Sequence, residues 1–320
     1  MKSKISLIIV ILLIPVFLWA EVSFVTEGDD NSYASVKDFT NTYEINLNKH
    51  NSKEISKCQA VRLAKNWFIT AAHCVNKVCQ DSSCSFQVRL MVGPNYEADI
   101  TTTHGKQFGP KIFMFSKTRL DNRGVLYDIA LVHFAPKDSK LVFRNPHYNT
   151  ALSEKEFLNR IPNRSVYVRA VNGTNLPKIL LMDTARPVML ERDLSIVSIW
   201  SGKRELLKNT SSQIFYSPKL SHFITNNFGV VRGISGSGVM TNTGELIGIV
   251  SAITEIKGKE TVNLLYITPF DKEIMAFIKD HIPDISYIVA DEDFTRPLTN
   301  EEQTFLKGIE SGRVNVKQND

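Results

Sequence analysis

The chain has 320 residues, 43% hydrophobic and 22% charged, which suits one large domain or two small ones and excludes a largely disordered or fibrous protein. A formal charge of +5 is small against 38 basic and 33 acidic side chains. Neither nucleic acid nor an anionic surface is therefore the expected partner.

Residues 1–20 differ in kind from the rest. Lys2 and Lys4 precede an apolar run over 5–19 that only Ser6 and Pro15 interrupt, and Ala20 then gives way to Glu21. Basic start, apolar centre and small exit residue are the layout of a secretory signal peptide cut after Ala20. A retained N-terminal anchor is the competing reading. No later run is long and apolar enough to span a membrane, so no stable membrane insertion is expected after cleavage, and the mature chain is expected to be secreted or periplasmic.

All four cysteines, Cys58, Cys74, Cys79 and Cys84, fall within 27 positions. In an exported chain an even count favours two disulfides, Cys58–Cys74 and Cys79–Cys84, with a zinc site as the rival.

A polar N-terminal segment, 21–56, leads into short β-type runs at 61–63, 67–70, 86–92, 111–115 and 129–134, each bounded by turn formers. These make a first β unit over 57–140. The segment 141–160 reads as a crossover, with a short helix at 153–158 capped by Ser153. A second unit over 161–289 carries β runs at 165–171, 178–182, 194–200, 213–216, 245–254 and 262–268. It ends in a helix at 271–282, where Ile274, Phe277, Ile278 and Ile282 share one face. The remainder, 290–320, reads as a polar flexible tail with Phe305, Leu306 and Ile309 as its one anchoring turn. The class is all-β: two β-rich halves and a late helix.

Three local patterns carry chemistry. Ile69-Thr70-Ala71-Ala72-His73-Cys74 places an imidazole, the side chain that exchanges a proton near neutral pH, beside a cysteine. Tyr127-Asp128-Ile129-Ala130-Leu131-Val132 sets a carboxylate at the mouth of an apolar strand, either as a turn residue or as a buried orienter of a histidine. Arg232-Gly233-Ile234-Ser235-Gly236-Ser237-Gly238 is a tight glycine-rich turn that presents hydroxyls and backbone amides. It lacks the lysine of a phosphate-binding loop.

Taken together, in this order, the motifs resemble those of the chymotrypsin-like (trypsin-fold) serine proteases, nearest to the bacterial exported, glutamyl-endopeptidase-like branch. The 16-residue separation of Cys58 and Cys74 also resembles the disulfide beside that family's base. The resemblance implies two six-stranded antiparallel β-barrels with a C-terminal helix and a site between them. His73 would be base, Asp128 orienter and Ser235 nucleophile, with Gly233 and Ser235 N–H groups as the oxyanion hole. Ser237 fits the nucleophile position less well.

The implied activity is that of an exported serine endopeptidase acting through an acyl-enzyme on a protein or peptide substrate, with no cofactor and no metal. The substrate pocket would involve Gly229, Arg232, Ser251, Ala252 and Ile253. Gly229 offers no carboxylate for Lys or Arg, and Ile253 limits depth, so small or medium uncharged residues are the expected preference. Ile234 stands where trypsin-like zymogens keep an aspartate, and Gly238 where the family has proline. These departures motivate the alternative, a protease homologue that binds peptides or proteins in the cleft without cutting them.

Overall fold

Alternating apolar residues in short strands need an opposing layer to bury their inner faces, and the chain supplies it by forming two sheets with an apolar seam between them. The computed structural model describes residues 23–26, 42–49, 55–79, 84–91, 97–102, 111–121, 124–133, 139–145, 150–160, 176–192, 194–200, 203–209, 214–226, 234–257, 261–311 and 317–318. The expected signal segment lies outside them, as does the β run at 165–171. Among the described residues no helix is long and apolar enough to cross a membrane.

Among the described residues the first sheet has nine strands. Its order is Thr150–Leu152, Ser139–Asn145, Glu97–Thr102, Cys84–Met91, Thr42–Lys49, Ile55–Ala64, Trp67–Thr70, Ala130–His133 and Lys111–Met114. The second has thirteen, centred on the long strand Glu245–Lys257, which pairs with Gly238–Thr241 on one edge and Thr261–Pro269 on the other. A two-stranded ribbon, Arg119–Asp121 with Gly124–Leu126, stands apart.

Among the described residues two sheets and late helices are seen, and two closed six-stranded barrels are not clearly formed. Segments that read as linkers supply strands instead. Thr42–Lys49, from the expected N-terminal segment, lies between Ile55–Ala64 and Cys84–Met91. Ser139–Asn145 and Thr150–Leu152, from the expected crossover, extend the same sheet. Ser23–Thr26 pairs with Lys203–Asn209 in the second sheet.

Four helices are described: α1 (Ala72–Cys79), α2 (Glu154–Arg160), α3 (Lys272–His281) and α4 (Asn300–Glu310). Asp271 caps α3 by accepting from Ile274 N–H at 2.9 Å. One apolar cluster joins Val61, Ile69 and Leu131 of the first sheet to Leu246, Ile249 and Phe270 of the second, with Ile274 and Ile278 of α3 packed into it. This shared core holds the two halves in fixed register.

The expected polar tail is a second correction. Strand Tyr287–Val289 pairs in parallel with Lys178–Leu181, and Thr295–Pro297 pairs with Val188–Leu190. Helix α4 follows, opened by a reciprocal capping box between Thr299 and Glu302. Its Leu306 and Ile309 are buried with Phe215, Ile224 and Leu264. Residues 305, 306 and 309 are thus a working helical face, and the polar positions between them face water. Arg296 bridges Glu302 through two 2.8 Å hydrogen bonds, which, against the cost of burial, hold the Glu302 carboxyl below its ordinary value of 4.5.

Leu306→Ala should destabilise the whole second half, by about 2–5 kcal/mol in equilibrium unfolding. An unchanged unfolding midpoint would mean that α4 is not part of the core. A carboxyl with a depressed folded-state pKa contributes stability above its unfolded pKa and loses it as pH falls through the folded value. The wild-type advantage over Glu302→Gln should accordingly be full above pH 4.5 and fade on further acidification, as read from unfolding at a series of pH values.

Candidate functional site

The strand Trp67–Thr70 ends at buried Ala71, and α1 begins at once. His73 is therefore in the first turn of α1, where backbone N–H groups have no partner within the helix. Asp128 meets that need. Its Oδ1 accepts from His73 N–H at 2.9 Å, its Oδ2 lies 2.6 Å from His73 Nδ1, and the same Oδ2 accepts from Ser251 Oγ at 2.8 Å. The Asp128 side chain is fully buried, whereas that of His73 is 27% exposed, so the imidazole has one sealed edge and one accessible edge.

Local backbone aims the carboxylate. Tyr127 adopts φ +51°, an uncommon conformation for a non-glycine residue. Its carbonyl accepts from Ile129 N–H at 2.7 Å and from Thr118 Oγ1 at 2.7 Å, which turns Asp128 inward just before the strand Ala130–His133. Ser251 is aimed by a different device. In the pairing of Glu245–Lys257 with Thr261–Pro269, Val250 faces Ile267 and Ala252 faces Tyr266, so Ser251 is the extra residue of a β-bulge. The bulge frees it to reach Asp128 in the other half of the molecule.

The glycine-rich turn docks on the first sheet. Gln59 N–H donates to Ser235 O at 2.8 Å, Gly236 N–H to Val250 O at 2.8 Å and Ser237 N–H to Ile234 O at 2.9 Å. Gly236 has φ +82°, and a Cβ there would collide with the Gln59 carbonyl and Thr70 Oγ1. Ile234 is buried with Leu180, Val239 and Val250. The position where trypsin-like chains carry an ion-pairing aspartate is thus part of the apolar core, and packing rather than charge anchors the turn.

Sulfur, not a hydroxyl, lies next to the other ring nitrogen of His73. Cys58 and Cys74 form a disulfide with Cα atoms 6.2 Å apart, and Cys74 Sγ lies 3.7 Å from His73 Nε2. Among the described residues no hydrogen bond links Ser235 Oγ to His73. Ser237 Oγ is fully buried and has no hydrogen-bond partner among the described residues.

This arrangement overturns the expectation of an active serine endopeptidase. A relay needs a nucleophile that gives its proton to Nε2, and a closed disulfide facing that nitrogen has no proton to give. Among the described residues the pair His73–Asp128 is present and an intact Ser-His-Asp triad is not, which argues against active hydrolase and serine-protease chemistry.

The remaining expected positions divide in two. Ser251 and Ala252 stand on the strand beside Asp128, and Ile253 follows in the same strand. Gly229, Arg232 and Gly233 lie outside the described residues, as do the side chains of Cys79 and Cys84 and hence their expected disulfide. Reading the sequence missed the docking of Gln59 on the turn, for which no local motif exists. Cys58, His73 and Cys74 are the one group among the described residues whose donor atoms lie close enough for a metal, within 4.8 Å of one another.

The family model described as Trypsin matches residues 37–172. No curated protein matches the chain. Among solved structures, a scabies mite inactivated protease paralogue, S-I1, is similar at 12% identity and a TM-score of 0.45, over 77% of this chain and 96% of that one. A trypsin-fold, protease-like domain is present. The glutamyl-endopeptidase branch is not singled out by any of these comparisons.

Ser251→Ala removes one of three donors to a buried carboxylate and should cost about 1–3 kcal/mol in chemical unfolding. Gly236→Ala should cost more, because a positive φ and a steric conflict with backbone coincide. Equal, near-zero effects would mean that the turn and the bulge do not hold the site together.

Proposed function

We propose that this chain is an exported, protease-like binding protein that holds a peptide or protein segment in the cleft between its two sheets without cutting it. The observation that carries this reading is that, among the described residues, Ser235 Oγ makes no hydrogen bond to His73, whose Nε2 has the Cys74 sulfur beside it. The site keeps the buried Asp128 anchor and the docked turn, while a closed disulfide and not a proton-transfer partner lies beside Nε2.

The long strand suggests how a peptide is held. Its pairing with Gly238–Thr241 ends at Ile249, and its pairing with Lys317–Gln318 begins at Thr254. Between them, Val250 bonds to the turn, and the backbone of 251–253 has no ladder partner on that edge among the described residues. An extended peptide adding a short strand there would gain main-chain hydrogen bonds, with pockets for alternate side chains giving preference. Ala252 and Ile253 would then favour small or medium uncharged side chains in the bound segment. Export rests on residues 1–20, and the finer likeness to the bacterial exported branch rests on the histidine segment and the Gly-x-Ser-Gly-Ser turn.

Mature protein beginning at Glu21 should bind members of a fluorescent peptide library saturably and return them intact. A fluorophosphonate probe should leave Ser235 unlabelled, because an unactivated serine ignores that electrophile. Ala252→Trp should weaken binding at least tenfold while the thermal midpoint changes little. Peptide cleavage together with a Ser235 adduct would overturn the proposal. So would the absence of any peptide binding by well-folded protein.

A further inference from the structure

We infer that opening the Cys58–Cys74 disulfide converts the His73 corner into a binding site for a zinc-class divalent metal, with Cys58 Sγ, Cys74 Sγ and His73 Nε2 as ligands. The inference does not depend on peptide binding. It comes from the one cluster of soft donors among the described residues, and from what holds that cluster in place.

Three observations support it. The donor atoms of the three residues already lie within 4.8 Å of one another, and Cys74 Sγ is 3.7 Å from His73 Nε2. A tetrahedral centre with bonds of about 2.3 Å to sulfur and about 2.0 Å to nitrogen requires a nitrogen–sulfur separation of about 3.5 Å. Cys74 Sγ is already close to that distance from Nε2, and the two sulfurs have to separate.

The second observation is the tautomer. Asp128 Oδ2 lies 2.6 Å from His73 Nδ1, so the proton sits on that nitrogen and the lone pair of Nε2 faces the sulfurs. A carboxylate behind a histidine ligand is the arrangement that orients metal-bound imidazoles and raises their basicity. Here the carboxylate is itself fixed by Ser251 Oγ and by His73 N–H. The third is access. Cys58 and Cys74 are 4% and 2% exposed, but the His73 side chain is 27% exposed, which leaves an approach for the metal and an open fourth position for water.

The chemistry balances with a dithiol as reductant. The dithiol gives two electrons and two protons to the Cys58–Cys74 bond, which breaks to two thiols as the dithiol closes to its own disulfide. Metal binding then forms two metal–thiolate bonds and one metal–imidazole bond and releases both thiol protons to solvent. Two thiolates neutralise the dication, so the charge left in the corner is that of the Asp128 carboxylate, which its three hydrogen-bond donors already stabilise. The disulfide-bonded chain has no thiolate to offer, and the site is therefore gated by redox state.

The test uses full mature protein carrying Cys79→Ser and Cys84→Ser, so that no other thiol contributes. After reduction with dithiothreitol and anaerobic removal of the reductant, Co2+ is added in steps. One equivalent should saturate a thiolate-to-cobalt charge-transfer absorption, and Zn2+ should displace it. Unreduced protein should show none. His73→Ala should weaken cobalt binding at least tenfold, and Asp128→Asn should weaken it about 10–100-fold while leaving the stoichiometry at one.

Circular dichroism before metal addition shows whether the reduced chain is folded. A folded, reduced chain without the absorption, or one whose cobalt affinity is unchanged by His73→Ala, would overturn the inference. Unfolding on reduction would overturn it too, since the preformed corner is its basis. If the double serine variant does not fold, the four-cysteine chain is titrated the same way. There a band insensitive to His73→Ala counts against the site.

Discussion

The buried carboxylate of Asp128 is the constraint on which the rest of the structure depends. A fully buried carboxylate is costly unless donors surround it, and it receives three: the His73 N–H, the His73 ring and the Ser251 hydroxyl. Two of those donors come from the start of α1 in the first half. The third comes from a bulge in the longest strand of the second. One side chain therefore orients an imidazole, caps a helix and ties the halves together across the apolar seam. The unusual φ of Tyr127 and the bulge at Ser251 are local costs accepted to satisfy it.

Around this hub the glycine-rich turn and the imidazole are held by different means. Ile234 anchors the turn by burial among apolar neighbours, and Gln59 fixes Ser235 through its carbonyl rather than its hydroxyl. The imidazole is left between a carboxylate and a disulfide. Closing the 16-residue separation of Cys58 and Cys74 constrains the unfolded chain by an amount worth about 3 kcal/mol. The bond therefore stiffens the His73 corner and at the same time sets a sulfur against the nitrogen through which proton transfer would run. Stability and chemistry compete for the same few ångströms, and in the disulfide-bonded state stability prevails.

Much of this was legible in the residues, and the misses have physical reasons. The pairing of His73 with Asp128, the Cys58–Cys74 disulfide, Ser251 beside the carboxylate and the helix after Asp271 follow from local motifs whose spacing survives folding. The barrel count did not. Whether a strand joins a sheet depends on partners far away in sequence, and Thr42–Lys49 is too polar to announce that it lies between two strands. The tail was misread because three apolar residues in a polar stretch look like a turn until a groove is known to receive them. Activity was misread for a related reason. Motifs state which side chains are present, whereas a relay depends on whether Oγ meets Nε2, and that distance belongs to packing.

The most direct measurement of the central claim is the NMR signal of the His73 ring N–H in uniformly labelled protein with the disulfide intact. A hub built on Asp128, with Ser235 outside it, predicts a far-downfield, exchange-protected Nδ1–H resonance that Ser251→Ala perturbs and Ser235→Ala leaves unmoved. A resonance that shifts with Ser235→Ala and ignores Ser251→Ala would contradict the account, because it would show the serine hydroxyl coupled to the imidazole after all.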